Sequence, residues 1–158
     1  MTFIREVEVL RDIPLFAKVE PAKLKLLAFT SERLEYRSGD ELFRQGDFGD
    51  AAYVVLEGHA DIVVDSPVGV LRVATLGRND LIGEIAILCD VPRTATVVAH
   101  GDLETLRVSK DGFFHLVTQF PQIGVEVMIA LAAKLHLTTQ ALTAALARLK
   151  ERDRSNGD

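Results

Sequence analysis

Gly83-Glu84-Ile85-Ala86-Ile87-Leu88-Cys89-Asp90-Val91-Pro92-Arg93-Thr94-Ala95-Thr96 sets a carboxylate and a lone arginine on either side of a short turn that begins on glycine. If Glu84 to Leu88 forms one helical turn, its first backbone N–H groups, those of Ile85 and Ala86 among them, lack partners and point at the space before it. Gly83 lets the chain approach that space closely. Pro92 restricts its own backbone and that of Val91, and so fixes how the chain reaches Arg93. This is chemistry for holding a small sugar-phosphate. The planar guanidinium of Arg93 suits phosphate oxygens, the acceptor-only carboxylate of Glu84 suits a hydroxyl that donates, and Thr94 and Ala95 add further donors.

From Arg33 to Ser109, short runs rich in Val, Leu, Ile and Tyr alternate with turn signals at Gly39, Gly46-Asp47, Gly58, Asp65-Ser66-Pro67, Gly77-Arg78-Asn79-Asp80 and Gly101-Asp102. That alternation predicts many short antiparallel strands closed into a barrel or sandwich. From Ile4 to about Phe29 apolar residues recur at helical spacing, and Pro14 and Pro21 break it into two or three short helices. Helical pattern returns from Lys110 to Thr118, breaks at Pro121 and then runs to about Arg152. Helices, then strands, then helices predict an α+β domain with its helices gathered at the ends of the sheet. The expected organisation is one domain over 1–152, with helices at 4–30, strands at 33–109 including the glycine-started turn at 82–96, helices at 110–152, and a frayed tail at 153–158.

A chain of 158 residues can build one core without disulfides, and its lone Cys89 excludes an intramolecular disulfide or a multi-cysteine metal site. His59, His100, His115 and His136 share no metal-ligand spacing, so no metal is expected. Cys89 reads as a small apolar filler. Arg5, Glu6 and Glu8 stand where a signal peptide would need an apolar core, and Glu126, Lys134 and His136 interrupt the apolar segment after Pro121. The expected compartment is the cytoplasm, with no membrane span. A net charge of -5 argues against nucleic acid as partner, and the basic residues Arg148, Lys150, Arg152 and Arg154 alternate with Glu151 and Asp153, as on a solvated helix end. There is no P-loop, dinucleotide glycine fingerprint or nucleophile elbow, so an enzyme with catalytic residues is not expected.

The run Gly83 to Thr96 strongly resembles the phosphate-binding cassette of cyclic-nucleotide-binding domains, the family that includes the catabolite activator protein, protein kinase A regulatory subunits and cyclic-nucleotide-gated channels. Gly39-Asp40-Glu41-Leu42-Phe43-Arg44-Gln45-Gly46-Asp47 and Tyr53-Val54-Val55-Leu56-Glu57-Gly58 resemble the first strands of that family's β-roll, and Leu10 to Phe16 its N-terminal helical segment. The resemblance extends from about Leu10 to about Leu149, with Ile82 where members often carry Phe. It implies an antiparallel β-roll, a jelly-roll-like double-stranded β-helix, flanked by N-terminal helices and a long C-terminal helix. It also implies a cyclic nucleotide as ligand, with Glu84 on the ribose 2′-hydroxyl, Arg93 on the exocyclic phosphate oxygens, and Gly83, Ile85, Ala86, Thr94 and Ala95 around them. Val73 is implied as a wall for the base, and reads equally as a plain core residue. In the family a threonine directly after this arginine often favours or permits cGMP, so Thr94 leaves cAMP and cGMP both open.

Met128, Leu131, Leu135, Thr138, Leu142, Ala145 and Leu149 are spaced alternately by three and four residues, the pattern of a coiled-coil seam. A parallel homodimer, as in the catabolite activator protein, is one expectation; packing of this face on its own roll is the other. Thr138 lies on the seam with Thr139 beside it, near positions that the activator resemblance implies for base contacts, although a threonine there can also bond its own helix. Activators of the family continue into a helix-turn-helix module, and this chain stops at Asp158. The expectation is therefore a cyclic-nucleotide sensor that signals to an effector protein through its C-terminal helix. The alternatives are the sensor piece of a larger regulator, channel or enzyme, and a ligand-free structural roll in which Glu84 and Arg93 pair with each other.

Overall fold

The computed structural model describes residues 2–157, with the side chains of all of these except 2–6 and 30. Three helical segments come first: α1 (Thr2–Arg11), a 3-10 turn (Pro14–Phe16) and α2 (Pro21–Thr30). Pro14 and Pro21 break the helical pattern by opening the next segment, at the position where a missing N–H costs nothing.

Six strands follow: β1 (Ser31–Tyr36), β2 (Glu41–Phe43), β3 (Ala51–Ser66), β4 (Gly69–Leu76), β5 (Leu81–Ile82) and β6 (Thr96–Ser109). They form one sheet ordered β1-β6-β3-β4, with β2 on β6 and β5 on β3, every pair antiparallel. This is the α+β roll that the sequence predicts. Three of its turns share one design. In Arg37 to Asp40, Arg44 to Asp47 and Gly77 to Asp80, the aspartate carboxylate accepts the N–H of the first residue at 2.8, 3.1 and 2.8 Å. The residue before each aspartate, Gly39, Gly46 or Asn79, has φ of +90°, +90° and +73°. Glycine and asparagine are the residues that take this conformation most cheaply.

Gly58 and Gly101-Asp102 are not turns, which corrects the expectation of uniformly short strands. Gly58 has φ +89° and Gly101 φ +78°, but β3 and β6 run straight through them for 16 and 14 residues. The β3–β6 register shifts on either side of Glu57. The glycines therefore act as bulges that bend two long strands around the roll.

Burial of β3 on both faces explains the unbroken apolar run at its start. Ala52, Val54 and Leu56 pack with Leu10, Phe16, Leu24, Leu106 and Phe113 beneath the helices. Ala51, Tyr53, Val55 and Ala60 line the inside of the roll with Ile82, Val97, Ala99 and Leu103. Ile82 fills its apolar slot there.

Helix α3 (Glu84–Cys89) interrupts the strands, and α4 (Lys110–Gln119) and α5 (Pro121–Asn156) close the chain. Ser109 caps α4, its Oγ accepting the Gly112 N–H at 3.0 Å. Gly124 lets α4 and α5 pack closely, since a Cβ there would stand 3.2 Å from Val117 Cγ1. Helix α5 continues through Asn156 rather than ending near Arg152, because nothing before Gly157 breaks it; Asp158 of the expected tail lies outside the described residues. Its 36 residues extend about 54 Å at the usual helical rise.

Candidate functional site

Gly83, with φ +80° and ψ 9°, caps the N-terminus of α3, and Asp90, at φ 53°, ends the helix with its N–H on the Ala86 carbonyl. The loop then returns past the Gly46-Asp47 turn, which holds it in place: Arg93 N–H donates to the Asp47 carbonyl and Gly46 N–H to the Arg93 carbonyl, both at 2.8 Å. A locally closed turn thus positions the arginine across the strand ends.

The Arg93 side chain runs inward and is only 3% exposed. Nη1 donates to the Gly83 carbonyl at 2.8 Å and Nη2 to the Ala51 carbonyl at 2.7 Å. The Phe43 ring lies beneath, its centroid 4.0 Å from Cζ, a cation–π contact that replaces lost hydration. Gly49 flanks the same group. A Cβ at Gly49 would stand 3.1 Å from Arg93 Cζ and 2.6 Å from Ala86 Cβ, and one at Gly83 would stand 2.5 Å from Nη1, so neither position has room for a side chain. Burial pushes the Arg93 pKa down, while Tyr53 and Asp50 act to raise it. A guanidinium stays charged regardless. Its Nε is buried with no hydrogen-bond partner, which leaves one directed donor unused.

Glu84, the first residue of α3, is equally buried at 3% exposure. Its partner is not Arg93, as the ligand-free expectation has it, but Lys134 of α5, whose Nζ donates to Glu84 Oε1 at 2.8 Å and also to the Leu81 carbonyl. Three buried or half-buried charges, one negative and two positive, therefore meet around the start of α3.

Around them, Ala86 and Ala95 are buried and Ile85 and Thr94 exposed. Cys89 is also exposed, so it does not fill an apolar slot as expected. Val73 stands apart. It is 57% exposed on the edge strand β4, at the bulge where Arg72 pairs with Val63 and Ala74 with Ile62, so its reading as a core residue is corrected. Thr138 and Thr139 are exposed on α5, one turn beyond Lys134. Of the seam, Leu131 packs partly against the helical core, while Met128, Leu135, Leu142 and Leu149 face outward.

Sequence reasoning missed Lys134, Phe43 and Gly49. Lys134 carried a signal, being the one charged residue between Val127 and Leu137 in an apolar stretch. Phe43 and Gly49 carried none of their own, because their role depends on where Arg93 arrives.

The family described as "Cyclic nucleotide-binding domain" matches residues 33–120, from β1 to the end of α4. The cAMP-dependent protein kinase regulatory subunit of Yarrowia lipolytica is 37% identical over 115 residues, 73% of this chain and 28% of that protein. The chain spans about a quarter of the length of the curated relatives it matches. Among solved structures, the Thermus thermophilus catabolite activator protein superposes with a TM-score of 0.71 at 28% identity, over 84% of this chain and 62% of that one. The regulatory subunit of a cAMP-independent protein kinase A from Trypanosoma brucei gives a TM-score of 0.69 at 28% identity, over 82% and 49%. The matched span includes Glu84 and Arg93 and more than half of the chain, and this chain belongs to the cyclic nucleotide-binding domain family.

Proposed function

We propose that this chain is a non-enzymatic sensor that binds cAMP or cGMP at the start of α3 and transmits the event through α5. The observation that carries the reading is the buried guanidinium of Arg93, with an unpartnered Nε, beside the α3 N-terminus. A cyclic phosphodiester brings one negative charge and acceptor oxygens for Arg93 and the Ile85 and Ala86 N–H groups. Its free 2′-hydroxyl donates to Glu84. Val73 of β4 and, with α5 closed over the ligand, Thr138 and Thr139 contribute to the base site.

Calorimetric titration of the purified chain with cAMP and cGMP tests this reading directly, and the absence of binding to both would sink it. Thr94 bears on base choice. Its exposed hydroxyl suits the guanine amino group, which adenine lacks, so Thr94→Ala should weaken cGMP by about 0.5–1.5 kcal/mol and leave cAMP nearly unchanged. Equal losses would assign the hydroxyl to the phosphate instead.

The outward row Met128, Leu135, Thr138, Leu142, Ala145 and Leu149 supports a parallel homodimer through α5, with Leu131 at the edge of both interfaces. In a parallel, in-register pair Arg148 of one copy stands opposite Asp153 of the other, which favours that orientation. By length and composition α5 also meets the requirement for crossing a membrane, but the tie from Lys134 to Leu81 and Glu84 holds it against the roll. Lysine at both Leu135 and Leu142 should yield monomers in sedimentation; an unchanged sedimentation coefficient would mean that the stripe does not pair.

A further inference from the structure

The carboxylate of Glu84 is held from outside the cassette, by a residue 50 positions further along the chain. Lys134 donates both to this carboxylate and to the carbonyl of Leu81, on the strand that leads into α3. One ammonium therefore fastens α5 to both sides of the Gly83 cap.

The rest of α5 is fastened only near its start. Ile123 and Val127 are buried and Leu131 packs partly against the helical core. From Leu135 to Gly157 every side chain is exposed, so Lys134 is the last polar tie between α5 and the roll among the described residues. About 30 Å of helix projects beyond it, a lever whose position depends on the contacts near its base.

Glu84, at 3% exposure, offers no open approach to a ribose. A 2′-hydroxyl donates to the same kind of acceptor as an ammonium, and it needs the carboxylate uncovered before it can reach it. We propose that Lys134 is a latch: its ammonium covers the carboxylate that the ribose hydroxyl must reach, so nucleotide binding and Lys134-mediated docking of α5 on the cassette exclude one another. The inference rests on the cyclic-nucleotide reading of the site and adds its regulation. Ligand entry frees Lys134 from Glu84 and Leu81, and α5 shifts from the position it holds here to the one in which Thr138 and Thr139 reach the base. By linkage, anything that holds α5 down through Lys134 weakens nucleotide binding by the same factor.

Lys134→Met keeps the aliphatic stem and removes the charge; thermal unfolding measured beside it reads the cost of leaving the Glu84 carboxylate unpaired. The variant should bind cAMP or cGMP about tenfold more tightly than wild type in calorimetry, a factor within the ordinary range of coupling between sites. In nucleotide-free protein, the α5 amides from 128 to 140 should exchange hydrogen faster in the variant, because the helix has lost its tie. Equal or weaker nucleotide affinity in the variant overturns the latch, and so does unchanged exchange. If neither protein binds a cyclic nucleotide, the functional reading itself falls. The exchange measurement then still decides whether Lys134 holds the helix down.

Discussion

Arg93→Ala is expected to lose nearly all affinity for cAMP and cGMP. The substitution removes the guanidinium that the proposed function pairs with the phosphate, through its unpartnered Nε, and would leave a buried anionic ligand without its charged partner. Loss of one member of such a pair costs about 2–5 kcal/mol, or roughly 30- to 5,000-fold in the dissociation constant. The same side chain also serves the fold. Without it the carbonyls of Gly83 and Ala51 lose their donor, and the space between Phe43 and Gly49 is empty. Thermal unfolding must therefore accompany the titration. Arg93→Lys separates the two roles, since it keeps the charge but cannot span both carbonyls with a rigid fork. It should fold and bind with intermediate affinity. An Arg93→Ala protein that is folded and binds like wild type would remove the phosphate site from this loop.

Gly58→Ala is expected to cost more stability than any other single methyl added to the roll. At φ +89° an L side chain is strained by about 1–3 kcal/mol. In addition, its Cβ would stand 2.2 Å from the Asp102 carbonyl oxygen, and that oxygen belongs to the backbone of the paired strand. Forcing the strands apart adds about 1–3 kcal/mol more. The melting temperature should fall by about 2–4 °C for each kcal/mol. Gly101→Ala is the matched control: φ is +78°, but no atom beyond its own chain neighbours lies within 4 Å of the added Cβ, so only the strain applies. If the two variants melt together, close packing at Gly58 is not what the bulge requires. Neither change touches the cassette, so the nucleotide affinity of the folded protein should stay as it is.

Glycines at 58 and 101 also mark the limit of reading strands from sequence. A positive φ is the same local event in a turn and in a bulge, and the residues around Gly58 announce only that one of the two occurs. Which of them occurs depends on the partner strand, and β6 continues opposite β3 on both sides of the shift. In the sequence pattern, two long bent strands therefore look like several short ones. Val73 misled differently: its type suits a core, but it stands on an edge strand at a bulge, where no second layer covers it.

Short stretches whose physics is complete within a few residues are the most legible in the sequence. A left-handed residue followed by an aspartate closes the turns at Asp40, Asp47 and Asp80 on their own backbone. Gly83 and Glu84 likewise define a helix start, and Pro92 a constrained approach to Arg93, from neighbouring residues alone; that the run forms a phosphate-binding cassette is what its resemblance implies. The charge partners were not. Glu84 and Lys134 are 50 residues apart, and the guanidinium of Arg93 reaches Ala51 across 42. Buried charges take whichever partner the packed chain brings within reach, since leaving one unpaired costs several kcal/mol. That choice is made by how α5 and β3 lie against the cassette, and it exists only once the roll and its helices have come together.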